Sequence, residues 1–200
     1  MGETVERVVV SDLEDFAQSV ADQVASFLLA VREIASSGDA SRAVPLLLLE
    51  VSQLLLAGAR LGAQIDFVPA DTYETDAGPD PDLDAIRESL ARLLDDIDEY
   101  HEVFDPYAPT PEVLTARVSD DVSAIAGSVA HGLAHHRAGR IDEALWWWQF
   151  SYVSSWGAEA SAVLRALQSV VSHDRLDTDA AHTVEMERIA AADEIITPTA

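Results

Sequence analysis

The sequence predicts an all-α fold, a compact bundle of six to seven helices. Apolar residues recur at steps of three and four over most of the 200 residues. Gly, Pro and Asp/Ser clusters punctuate those stretches, and only Val8–Val10 reads as a β-branched, extended run. With 48% hydrophobic residues the chain has enough apolar surface for one core. The expected organisation is a lead-in over 1–10, a single helical domain over 11–176, and a marginal helix or frayed tail over 177–200.

The first helix is expected to start at Ser11, where Ser11-Asp12-Leu13-Glu14 has the spacing of a capping box. Leu13, Phe16, Val20, Val24, Phe27, Val31 and Ile34 lay one apolar stripe along it, and Gly38 closes it. The second helix runs from about Ser41 to Gln64, with Pro45 in its first turn. Its leucines cover most of the circumference, so it is expected to be the most enclosed helix, with Gly58 and Gly62 admitting a close neighbour. The stretch Ala43–Ala59, broken by Glu50 and Gln53, reads as too short to span a bilayer. Pro69, Gly78, Pro79 and Pro81 mark a loop.

Leu83, Ile86, Leu90, Leu93, Leu94 and Ile97 carry a third helix to about His101. Phe104–Pro111, with three prolines, is a stiff connection and the clearest hinge. Ser119-Asp120-Asp121 opens a fourth helix that Gly139 ends. Ile141–Ser155 is the fifth helix, Ala158 to about His173 the sixth, and Thr178–Ile195 a thin-faced seventh.

Thirty-six acids against twelve arginines, with no lysine, give a net charge of −24. Such a chain lacks the clustered cations that direct binding to nucleic acid requires. The absence of cysteine excludes disulfides, thiolate metal sites and a cysteine nucleophile, and suits a cytoplasmic protein. The acids in Met1–Glu6 are unlike a signal peptide. The expectation is a cytoplasmic protein with no membrane partner and no direct contact with nucleic acid.

All four tryptophans fall between Trp146 and Trp156. At 100° per residue, Trp146, Trp147 and Trp148 spread over about 200° of arc and cannot all face one neighbour. Leu145, Trp148, Tyr152 and Trp156 share one side, while Trp146, Phe150 and Val153 share another. Trp147 falls with Ser151 and Ser154, the smallest and most polar side, so unless the helix is central it is the indole expected to be at least partly exposed, with Trp146 and Trp148 serving packing. The segment His131–Arg175 holds four acids and four arginines, a neutral stretch in an acidic chain.

Gly132, Gly139, Ile141, Ala144, Trp148 and Ser151 fall at the offsets of a tetratricopeptide hairpin, and the segment resembles one such unit. Ser128 and His135 stand where that motif has aromatics, and there is no second copy, so an array is not expected. Arg137-Ala138-Gly139-Arg140-Ile141-Asp142-Glu143-Ala144-Leu145-Trp146-Trp147-Trp148-Gln149-Phe150-Ser151-Tyr152, with the upstream Tyr100-His101-Glu102-Val103-Phe104-Asp105-Pro106-Tyr107, resembles the bacterial family DUF5063. The resemblance covers most of residues 11–176. It implies an intracellular protein of high-GC bacteria and carries no activity.

For chemistry, His131 and His135 are four apart on one helix face, the spacing with which two imidazoles share a metal. A third ligand would come from third-helix carboxylates such as Glu99. The acids Asp95, Asp96, Asp98, Glu99 and Glu102 could hold magnesium for phosphoester hydrolysis, yet no lysine or Gly-rich phosphate loop accompanies them, and a solvated acidic face explains them more simply. The leading expectation is a non-catalytic interaction protein without a cofactor, its partner another protein or a second copy. The expected binding residues are Arg140, Glu143, Trp147, Ser151 and Ser154. A metal-dependent hydrolase and a small-ligand sensor are the alternatives.

Overall fold

The structure, a computed structural model, describes residues 2–69, 76–79 and 81–196, with side chains described from 12 to 176 within those ranges. It is predominantly helical, with one small two-stranded sheet. The helices are α1 (Gly2–Ser37), α2 (Ala40–Gly62), α3 (Asp84–Leu94), α4 (Val118–Arg137), α5 (Ile141–Ser151) and α6 (Gly157–Ile196). The strands β1 (Glu99–Val103) and β2 (Val113–Arg117) lie between α3 and α4.

The apolar stripe of α1 behaves as its spacing dictates: Val20, Val24, Phe27, Val31 and Ile34 are buried, with Leu13 and Phe16 packed at the margin. They meet Leu47, Val51, Leu54 and Leu61 of α2, Leu90 and Leu94 of α3, Val122, Ile125 and Val129 of α4, and Val163 and Leu167 of α6. One core results. Its long-range packing is led by α4 on α5, α2 on α6 and α1 on α2.

Four boundaries differ from expectation. The Val8–Val10 run is helical, not extended, because nothing between Glu3 and Ser11 breaks a helix; α1 therefore passes through Ser11 instead of starting there. The third helix stops at Leu94 rather than His101. Asp95 takes a positive φ of 43°, a 3-10 turn over Asp95–Ile97 follows, and Glu99–Val103 becomes a strand. β1 escapes a period-two reading because its inward residues, Tyr100 and Glu102, are polar and leave no apolar alternation. The proline segment is accordingly the link between two strands. The fifth and sixth helices form one run, joined through a π-helical turn at Tyr152–Trp156, and the backbone continues helical to Ile196, so the seventh helix is not separate. Thr197–Ala200 lie outside the described residues.

α2 also departs from expectation. Leu49 and Leu56 on its outer side are exposed, so it is not enclosed all round. At 23 residues it is long and apolar enough by composition to cross a membrane; its other side lies in the core.

A candidate interaction surface on the tryptophan helix

The α4–α5 hairpin turns at Gly139, whose φ of 76° is a conformation that glycine adopts without strain. The amides of Gly139 and Arg140 donate to the carbonyls of His136 and His135 (2.9 and 3.0 Å), satisfying the end of α4. This turn sets α5 against α4 so that Trp148 lies over Gly132 and donates its indole N–H to the Val129 carbonyl at 3.0 Å. Trp148 is fully buried. Leu145 and Trp156 are buried beside it in the same core, as their shared side predicts.

The π turn tightens that sharing. In a regular α-helix, eight residues separate Trp148 from Trp156 by about 80° in angle. One extra residue accommodated in the π turn takes out about one 100° step and returns the two indoles to within about 20°. Two hydroxyls bond back to carbonyls just before and within the turn, Ser151 to Trp147 (2.6 Å) and Ser154 to Phe150 (2.7 Å), a habit that bends helices.

The expected binding residues do not form one exposed patch. Trp147 is half-buried against α4: its Nε1 donates to the Ser128 carbonyl at 2.8 Å, and its ring stands 4.2 Å from that of His131. Ser151 and Glu143 are buried. Arg140 is half-buried. It donates from Nε to His135 Nδ1 (3.2 Å) and from its guanidinium to the Asp76 carbonyl (3.0 Å), tying the preceding loop to the hairpin turn. Only Ser154 is exposed, with its hydroxyl engaged by its own helix. Angular spacing placed Trp147 on the polar side; α4 approaches from that side and covers it.

The surface that does remain open is the other aromatic side. Trp146 and Phe150 stack with centroids 5.5 Å apart and planes within 11°. Phe150 is 52% exposed and Val153 73% exposed. Across from them runs the segment after α2, with Val68 78% exposed, and the two walls enclose a cleft of about 440 Å³. Gln149, a residue to which the sequence assigned no role, builds the second wall. Its Oε1 accepts the Phe67 amide (2.8 Å) and its Nε2 donates to the Leu61 carbonyl (3.0 Å), which caps α2 and holds the following loop beside α5.

The acidic stretch is dispersed rather than lined up on one helix. Asp98, 1% exposed, accepts from the Ser119 amide and hydroxyl (both 2.8 Å) and pairs with Arg117 Nε (3.2 Å), thereby capping α4 from outside its own helix. Under the hairpin, Tyr100 donates to Asp121 at 2.7 Å. Burial, with Glu102, Glu159 and Asp120 repelling it, raises the Asp121 carboxyl to about 6 despite the Tyr100 bond. Burial raises Glu159 as well, against the hydrogen bond from Ser155. Glu99 sits exposed on β1, while the rings of His131 and His135 meet edge-on on α4 at 5.1 Å. Among the described residues no group of three His, Asp or Glu side chains is placed to hold a metal ion.

The fold defines a predominantly helical protein built on an α-helical core with one hairpin. The chain belongs to the family described as Domain of unknown function (DUF5063), which it matches over residues 11–173. A solved structure with the same fold is protein BF1032 from Bacteroides fragilis. It is 18% identical, with a TM-score of 0.62 over 76% of this chain and 89% of that one. No curated protein matches the chain.

Proposed function

We propose that the chain is a non-catalytic interaction protein, and that a protein partner docks on the outer face of α5. The observation that carries this reading is the nearly coplanar Trp146–Phe150 stack, Trp146 half-buried and Phe150 exposed, with the exposed Val153 beside it, facing Val68 and Pro69 across a cleft. Exposed aromatics grouped with aliphatic side chains are the composition of an interface centre, where a few residues supply most of the binding energy. The segment His131–Arg175 is charge-neutral in a chain of net charge −24, and Asp66 is the one charged residue among the described residues that line the cleft, so a partner meets mostly apolar surface. The sequence motif thus supports recognition through this helix, on Trp146, Phe150 and Val153 in place of Trp147.

Site-specific photocrosslinking in the host cell tests it. A photoreactive residue at Val153 is expected to give one discrete adduct, and Phe150→Asp in the same chain to reduce it by about tenfold. The same probe at Leu29, an exposed leucine on α1, is the control. No adduct from Val153, or equal yields from both positions, overturns the proposal. An adduct of twice the chain's mass makes the surface a homodimer interface instead.

A further inference from the structure

The β-hairpin presents a backbone edge on the side away from β2. Two bonds fix which residues own it: the Val118 amide donates to the Asp98 carbonyl (2.8 Å) at one end, and the Phe104 amide to the Glu112 carbonyl (3.2 Å) at the other. Both pairs lie on the register that runs from Glu99↔Arg117 to Val103↔Val113. Bonded and non-bonded pairs alternate along an antiparallel ladder. Tyr100 and Glu102 therefore direct their amides and carbonyls to β2, while Glu99, His101 and Val103 direct theirs outward. Among the described residues the sheet ends there, at two strands.

That edge borders a cleft of about 970 Å³. One wall is the consecutive run from Glu99 to Phe104. The other is a single face of α6 made of small side chains, Ala158, Ala162 and Ala166, ending at Val170. β2 packs on α4, whereas β1 stands off α6 across the gap. The dimensions suit one more strand: five extended residues span about 17 Å, and α6 from Ala158 to Val170 rises about 18 Å. Asp96, Glu99 and Glu102 line the cleft against one arginine, Arg165, together with His101 and His173. Behind Glu102 stand Asp121 and Glu159, each in repulsion with it, and Glu159 Oε2 is buried without a hydrogen-bond partner.

We propose that this edge of β1 is a second docking site, for an extended basic segment of a partner protein that joins the hairpin as a third strand and lies on α6. Cross-strand neighbours share a face of the sheet, so partner residues opposite Glu99 and Glu102, three apart, face those carboxylates and are the positions for Lys or Arg. Self-pairing of two β1 strands would instead bring four glutamates into one ladder. The site shares no lining residue with the cleft beside α5 and stands independently of it.

The probe is the capped octapeptide Thr-Val-Lys-Thr-Val-Lys-Val-Thr, with a second peptide carrying Glu at both Lys positions. In the intact protein, binding of the Lys peptide is expected to slow amide exchange at Glu99, His101 and Val103 by at least about tenfold and to leave Tyr100 and Glu102 unchanged. The Glu peptide is expected to bind at least about tenfold more weakly by calorimetry. His101→Pro removes an outward donor and leaves the backbone ladder to β2 intact, though it gives up the side-chain bond between His101 Nδ1 and Thr115 Oγ1 (3.2 Å), and is expected to abolish binding. Ala162→Trp fills the cleft and serves as the second variant should the proline disturb the hairpin. The proposal is overturned if the two peptides bind alike or not at all, or if the three outward amides are already protected in the free protein. A dimer dissolved by His101→Pro also overturns it, in favour of a second copy.

Discussion

At the scale of single residues, the tightest constraints sit where a glycine meets an aromatic ring. The ring of Tyr152 covers Gly58 and Gly62 of α2 and Gly157 of α6, and that of Trp148 covers Gly132. A methyl group at Gly132 would overlap an indole that is fully buried and held by Val129, so neither partner can yield cheaply. Gly132→Ala is expected to cost about 1–3 kcal/mol, read as a lower urea midpoint with unchanged slope. Asp121 sets a pH dependence. Its carboxyl titrates near 6 when folded, against an ordinary value of 3.8, so the folded state binds more protons between those values. Its contribution to stability is therefore full below 3.8, declines as pH rises to about 6, and is flat above. Wild type minus Asp121→Asn, which keeps an acceptor for Tyr100, should show that decline; a flat difference would refute the assignment.

At the scale of elements, the π turn at Tyr152–Trp156 and the cap on α4 do the positioning. Because the π turn absorbs one residue, its removal should leave both indoles on one side of a regular helix. Deleting Ser154, exposed and inside the turn, is expected to preserve cooperative unfolding. Deleting Ser161, equally exposed but in α6, would rotate Val163 and Leu167 by about 100° out of the core and should abolish it. Circular dichroism during thermal melts of the two variants distinguishes them, and equal loss in both would show that the turn has no such role. Asp98 acts between elements: the helix that it caps begins twenty residues later in sequence.

At the scale of the whole molecule, charge is the dominant feature. The described residues contain four ion pairs, and in only one of them, Arg117–Asp98, is either side chain buried. Exposed pairs contribute little, so a net charge of −24 acts mainly as self-repulsion. Added salt is expected to raise the melting temperature between low ionic strength and about 0.5 M NaCl, because it screens more repulsion than attraction. A fall would mean that the pairs outweigh the net charge. The same excess of acid favours a basic partner at the β1 edge and discourages self-association at both proposed surfaces.

The sequence alone determined the helical class, the core stripe of α1, the Gly139 turn and the family, because spacing, turn chemistry and motif are local or linear properties. It also marked the tryptophan segment as unusual. It did not determine which aromatic side stays open. Trp147 lies on the polar side of its own helix, yet α4 packs against it and leaves it half-buried, and Phe150, stacked on a half-buried Trp146, is the aromatic left exposed at the loop that Gln149 holds in place. Nor was the hairpin legible: β1 carries charged and polar residues whose strand form rests on pairing with β2, about fourteen residues on. Exposure and strand edges depend on what packs from elsewhere in the chain, and only the tertiary structure decides that.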